Sequence, residues 1–325
     1  METPDAQLPC GIHAVIEFDR SHWALILGGS SGFGLATALK LARHGMSIMV
    51  VHRDRRGAMA RIEPSFDLIR ATGVGFQALN LDALSPEGRA RTLAELGAAM
   101  GDRGRLRLLL HSIAFGNLKP IAPGKPDTRA ADAISQLAHE LGISSDSVQA
   151  AVSHLLQRGV GALHTLQAVD YGDILLDEED MARTIHAMGT SLLSWVQDLH
   201  RLGLFAGDAR VLGMTSEGNT TAWKGYAAVA AAKAALESVS RAIAVEFAPH
   251  GIRSNIIQAG VTPTPALKLI PGSAGMQAAA ERRNPFKRST TPEAVADFIA
   301  LMCLDEAAWV NGALIRVDGG EHIAA

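Results

Sequence analysis

The sequence predicts an α/β fold: a doubly wound parallel sheet of about seven strands, covered by helices on both faces and carrying a helical insertion. Three observations predict it. Short continuous apolar runs alternate with helical stretches along most of the chain. A glycine-rich loop follows directly on the first apolar run. The rhythm breaks once, between residues 119 and 170, where no strand signal occurs.

Residues 1–20 contain proline and show no pattern, and they read as an extension ahead of a single domain over 21–325. Trp23-Ala-Leu-Ile-Leu27 reads as a strand buried on both faces. Gly28-Gly-Ser30-Ser31-Gly32-Phe33-Gly34 then turns into a helix from Leu35 to His44, with Gly45 closing it. Ser47–Val51 is a second buried strand, Val74–Leu79 a third, and Arg107–Leu110 a fourth, with a helix over Pro86–Met100 between the last two. Beyond the break come a helix near Met181–Leu202, a strand at Arg210–Met214 and a long helix from about Tyr226 to Ala248. A strand at Arg253–Ile257, a helix over Pro292–Cys303 and a strand at Leu314–Val317 complete the series. A closed barrel satisfies the same alternation, but a phosphate loop after the first strand favours the open sheet.

The insertion, about residues 119–170, opens with Pro120, Pro123 and Pro126 and predicts two helices, Thr128–Leu141 and Ser147–Arg158. Ser144 or Ser145 caps the second, whose Val148, Val152, Leu155 and Leu156 share one face. Helix–glycine–helix geometry also serves DNA binding, but the second helix holds one Arg in surroundings that are not basic.

Bulk properties narrow the function. Hydrophobic residues make up 48% of the 325 and charged residues 19%, enough for a large core. With a net charge of −3 and no basic stripe, nucleic acid is not an expected partner. Cys10 and Cys303 give neither a disulfide framework nor a zinc site, and the twelve histidines show no metal-ligand spacing, so no metal is expected. The N-terminus shows no basic region followed by an apolar run, and no apolar stretch approaches about 20 residues. A cytoplasmic protein with no membrane partner is the expectation.

Chemistry concentrates in two places. Gly28, Gly32 and Gly34 let a backbone approach a pyrophosphate closely at a helix N-terminus, with Ser30 and Ser31 as added donors. Tyr226 and Lys233 form the second place. Seven residues of helix turn through about 700°, which leaves both side chains on one face, about 10 Å apart in rise. A phenol beside an ammonium is an acid with a lowered pKa, suited to an oxygen that becomes negative during reaction.

Together with the closing Val317-Asp318-Gly319-Gly320, these motifs resemble the short-chain dehydrogenase/reductases from about Trp23 to Ile323, the insertion excluded. A narrower resemblance is to the enoyl-acyl-carrier-protein reductases. It rests on Leu110-His111-Ser112-Ile113-Ala114-Phe115 and on the six residues between Tyr226 and Lys233, where ordinary members have three. Ala259-Gly260-x-x-x-Thr264 and Asn284-Pro-Phe-Lys-Arg-Ser-Thr-Thr-Pro-Glu add to it.

The resemblance implies a Rossmann-type fold and roles for particular residues. Gly28 to Gly34, Phe33 included, would cradle the pyrophosphate. Asp82 and the backbone of Ala83 would lie near the adenine, Ile113 beneath the adenosine, and Thr262 and Thr264 along the pyrophosphate and nicotinamide. Lys233 would bind the nicotinamide ribose and lower the Tyr226 pKa, and Tyr226 would contact a substrate carbonyl oxygen. It also implies a homo-oligomer, dimer or tetramer.

At the end of the second strand, where a carboxylate would favour NAD, stand His52 and Arg53. A guanidinium suits a 2′-phosphate, so NADPH is the expected cofactor, with NADH possible. The chain departs from the enoyl-reductase pattern at Ser216, ten residues before Tyr226, where that subfamily has another Tyr. Ser216 also lies seventeen residues before Lys233, the place of the catalytic serine in ketone-reducing members.

Two enzyme functions follow. The first is reduction of the C=C bond of an α,β-unsaturated acyl thioester, carried by CoA or an acyl carrier protein. The second is a ketone/alcohol oxidoreductase using Ser216 and Tyr226. A cofactor-binding sensor without turnover is the remaining class, and the intact Tyr226 and Lys233 argue against it.

Overall fold

The computed structural model describes residues 16–124, 128–167, 169 and 171–324. An interior strand of its sheet, β1 (His22–Leu27), is an apolar run that alternates between two cores. Ala24 and Ile26 enter one cluster and Trp23, Leu25 and Leu27 the other. Each such fully buried leucine or isoleucine contributes about 1.5–3 kcal/mol.

Around β1 lie β2 (Ser47–His52), β3 (Phe76–Asn80), β4 (Arg105–His111), β5 (Phe205–Thr215), β6 (Ile252–Ala259) and β7 (Leu314–Val317). All pairings are parallel, in the order β3-β2-β1-β4-β5-β6-β7. This is the expected seven-stranded doubly wound sheet, and the order reverses between β1 and β4. Carboxyl ends of strands at such a reversal are where α/β sheets bind ligands.

One face carries α1 (Gly32–Arg43) and α2 (Met59–Arg70), with the C-terminal helix α10 (Pro292–Met302) beside α1. The other carries α3 (Pro86–Met100), α7 (Ser191–Arg201) and α8 (Ala227–Glu246). The helix expected near Met181–Leu202 is α6 (Glu178–Ile185), a π-helical turn at His186–Thr190, and α7. At that turn Gly189 packs on α8, where a Cβ would lie 2.6 Å from the Ala232 carbonyl oxygen.

Two helices have no counterpart in the expected series. In α2 a proline, Pro64, interrupts the pattern, and only Ile62, Phe66 and Ile69 are buried. The other, α9 (Ser273–Arg283), is built from alanine, glycine and polar residues and buries only Ala278 and Ala280. Of the stretch read as an extension, residues 1–15 lie outside the described residues, as does Cys10. Phe18 is buried against the α1 side, with its N–H donating to His44 O at 2.7 Å, so the packed chain starts before residue 21.

The insertion forms α4 (Thr128–Leu141) and α5 (Ser145–Gln157), with Ser144 accepting from the Ser147 N–H at the start of α5. Ile134, Ala138, Val148, Val152 and Leu156 close a small core of their own. The following 3₁₀ segment, Gly161–Leu166, rests on α9, with Gly161 against Ala278 and His164 against Gly275. Among the described residues no helix is long and apolar enough to cross a membrane.

Candidate active site

The loop between β1 and α1 is tight because its glycines admit nothing larger. Gly28 takes φ 87°, and a Cβ there would lie 2.5 Å from Ser112 O on the neighbouring β4 strand end. A Cβ on Gly34 would strike the Gly28 carbonyl. Ser31 stands at the N-cap of α1 and makes no side-chain cap, which leaves the amide end of the helix to an outside acceptor. These features fit a dinucleotide pyrophosphate. Ser30, Ser31, Gly32 and Phe33 all lie on this turn, and Gly32 faces the Thr264 side chain.

Beyond β2 the residues divide. His52 is buried, its Nδ1 2.9 Å from Asp54 Oδ2 and its ring edge-on to Phe66. Its ring is engaged with Phe66 of α2 and with Asp54. Arg53 turns the other way. Its guanidinium donates to Asp82 Oδ2 at 3.1 Å and stacks 4.4 Å from the Phe115 ring centre. Asp82 also accepts from the Leu84 N–H at 2.9 Å, so it caps its own turn as well. Ala83 is buried, Ile113 packs on the same core, and Thr262 turns its hydroxyl to Gly260 O at 2.9 Å.

Tyr226 is the N-cap residue of α8 rather than part of its helical face. Gly218 makes room for its ring, since a Cβ there would run into the phenol carbons. Its hydroxyl lies 3.3 Å from Ser216 Oγ. Burial raises the Tyr226 pKa above its ordinary 10.0, and the Ser216 hydrogen bond only partly opposes that. The shift is thus upward, opposite in direction to the lowered phenol pKa that the sequence suggests. A phenol that stays protonated is still a hydrogen-bond donor to a forming oxyanion.

Lys233 is buried, and its Nζ donates to Met214 O at 2.8 Å. Burial lowers its pKa from 10.5 to about 8, with Glu237 opposing. Glu237 in turn accepts from Thr215 Oγ1 at 2.9 Å and Asn219 Nδ2 at 2.6 Å. His111 is also buried, 2.9 Å from Ser191 Oγ, with Nδ1 unpartnered. Burial first, then Lys233, pushes it down to about 3, so it is neutral across the working range.

Phe33, Ser216, Tyr226, Thr262 and Thr264 line one largely apolar cavity of about 940 Å³, part of it open to solvent. Phe33 at the start of α1 and Tyr226 therefore line the same space. Its walls also include Glu217, Trp223, Met188 and Met276, which the sequence reading did not single out. Glu217 adjoins Ser216, which was the available signal; Met276 sits on the unread α9. Tyr171 of the chain after the insertion packs on Gly225 beside Tyr226. Among the described residues no group of three His, Cys, Asp or Glu side chains could hold a metal ion.

A family model described as enoyl-(acyl carrier protein) reductase matches residues 144–322. The chain is 26% identical over 310 residues to 1-cyclohexenylcarbonyl-CoA reductase of Streptomyces collinus, covering 94% of this chain and 89% of that one. It is 27% identical over 299 residues to cis-4-hydroxycyclohexanecarboxylate dehydrogenase of Sinomonas cyclohexanicum, covering 91% and 95%. The crystal structure of enoyl-[acyl-carrier-protein] reductase (NADH) from Aquifex aeolicus shares the fold, with a TM-score of 0.68 at 21% identity, over 96% of this chain and 99% of that one.

Proposed function

The chain belongs to the enoyl-acyl-carrier-protein reductase-like family of short-chain dehydrogenase/reductases, and from that premise we propose that it reduces the C=C bond of an α,β-unsaturated acyl thioester with NADPH. The observation that carries this reading is the place of Tyr226. It stands at the N-cap, ahead of the body of α8 and six residues clear of Lys233, and it lines the cavity. A conjugated thioester needs its oxygen held two atoms away from the carbon that is reduced. A ketone needs the two adjacent.

A bound dihydronicotinamide supplies the hydride that the β-carbon takes up. Tyr226 donates a hydrogen bond to the thioester oxygen and stabilises the enolate charge that gathers there. Its raised pKa keeps that donor protonated at neutral pH. A proton taken from water at the α-carbon completes the saturated thioester. Met188, Val229, Leu267 and Met276 surround the acyl group with apolar surface. Lys233 would hold the cofactor ribose.

Arg53 supports NADPH. Asp54 is tied by His52 and by Asn80, whose Oδ1 accepts from the Asp54 N–H at 3.0 Å, and Asp82 is shared with Arg53. A guanidinium at the end of β2 supports this reading because it suits a 2′-phosphate, although the Aquifex aeolicus enzyme is named for NADH. The insertion, resting on α9, acts as a cover over the substrate entrance. Family membership supports a homo-oligomer, which light scattering after size exclusion tests.

A second reading has its own observation. Ser216 Oγ lies 3.3 Å from the Tyr226 hydroxyl, a pair that can polarise one carbonyl, and one relative is named as a dehydrogenase of a hydroxy acid. Loss of NADPH absorbance separates the readings. Crotonyl thioesters should react faster than matched 3-ketoacyl thioesters, and Tyr226→Phe should lower turnover by about 10²-fold or more while Ser216→Ala costs less. Preference for the ketone, abolished by Ser216→Ala, would establish the second reading instead.

A further inference from the structure

We propose that Arg283 is a positioning residue that ties both ends of the segment closing the cavity to Ser216. The inference rests on Ser216 and Tyr226 marking the reacting end of the cavity. The closing segment runs from Val261 to the end of α9 and supplies Thr262, Leu267, Ile270 and Met276 to the wall. Arg283 is its last helical residue.

One nitrogen makes three contacts. Arg283 Nη2 donates to Glu217 Oε1 at 3.0 Å, to Glu217 Oε2 at 2.9 Å and to Glu321 Oε1 at 3.1 Å. Glu321 is buried, and its two oxygens accept from the Val261 N–H at 3.3 and 3.2 Å. The same carboxylate presses on Gly260, where a Cβ would come within 2.7 Å of Oε2. Glu321 therefore gathers the start of the segment, at Val261, and its end, at Arg283. The same Arg283 nitrogen reaches Glu217, which follows Ser216 directly and lines the cavity.

Stability alone is a poor reason for this arrangement. Arg283 Nε is buried without a partner, so part of the guanidinium is desolvated for nothing. Two carboxylates meet one cation whose side chain is still 31% exposed, and ion pairs that keep such contact with solvent add little stability. What the cluster does supply is a fixed distance. It sets the α9 end of the cavity against the backbone of the Ser216–Glu217 turn, and Ser216 in turn holds the Tyr226 hydroxyl. Arg283 thereby holds Ser216 at its hydrogen-bonding place beside Tyr226.

The test compares Arg283→Met, Arg283→Lys and Ser216→Ala, singly and combined, on whichever thioester the wild type turns over. Arg283→Met should lower kcat about tenfold with the NADPH Kd unchanged, a coupling of the size that contacting groups show. In the Ser216→Ala background the same change should cost under about twofold. Arg283→Lys should recover most of the loss, because a single ammonium can make contacts that come from one nitrogen. An equal loss in both backgrounds would overturn the proposal and leave Arg283 a structural residue. Hydrogen exchange without substrate gives a reading independent of turnover. Arg283→Met should loosen residues 216–219 and 261–283 together, and loosening of 261–283 alone would also overturn it. A wild type inactive on both enoyl and 3-ketoacyl thioesters would defeat the proposed function, while the exchange result would still decide the role of Arg283.

Discussion

Raising the pH through 8 is expected to switch off this enzyme long before an ordinary lysine would lose its proton. Burial has lowered Lys233 from 10.5 to about 8, with only Glu237 opposing. If the ammonium is the active form, kcat/KM falls about tenfold by pH 9 and about a hundredfold by pH 10. Tyr226 cannot supply that limb, since burial moves its ionisation above 10.0. Glu237→Gln sharpens the test. It keeps an oxygen for Thr215 and Asn219 but removes the charge that favours the ammonium, so the limb should move to lower pH. The assay is kcat/KM from pH 6 to 10, with the cofactor Kd measured beside it. Stability provides a control of opposite sign. Between about 8 and 10.5 the unfolded chain binds the lysine proton and the folded one does not, so the Lys233 contribution to stability rises with pH. Activity falling while that contribution grows separates loss of the active form from unfolding. A profile flat to pH 10, or a limb that moves upward in Glu237→Gln, would refute the argument.

Other perturbations address other parts of the molecule. Arg53→Ala should weaken NADPH binding and barely touch NADH, whereas Gly34→Ala, whose new methyl meets the Gly28 carbonyl, should weaken both alike; titration with each cofactor decides. Asp208 receives Arg107 at 2.7 Å together with Arg210 and Arg253, so Asp208→Asn should cost about 3–5 kcal/mol in urea unfolding by stranding buried cations. Burial opposes ionisation of Asp208, but the three arginines outweigh it and lower its pKa below 3.8, so its contribution is present at neutral pH and lost in acid; the variant should show a flatter acid limb. Gly161→Val would drive a side chain into Ala278 of α9 and should raise substrate KM with the NADPH Kd unchanged; an unchanged KM would remove the insertion from the cover.

What the sequence disclosed depended on how local each signal was. Trp23–Leu27 was legible because a strand buried on both faces must be apolar without interruption. Pro86 and Thr128 marked helix starts that the structure places at the same residues. In α2, Pro64 hid the helix, and in α9 a run of small residues gave no apolar stripe. The site divides in the same way. Helical spacing could bring Tyr226 and Lys233 to one side of α8, but it could not show that Lys233 turns to Met214 while Tyr226 is raised by burial. Burial is a property of everything packed around a group, and spacing along one helix does not contain it. Arg283 is the extreme case. Its partners lie 66 residues before it and 38 after it, and no local pattern joins them. They meet only because β5 and β7 flank β6 in the sheet, which sets the turns after those strands beside the segment that follows β6. The candidate site residues were thus readable from motifs. Those that hold the chemistry in place became readable only once the topology was known.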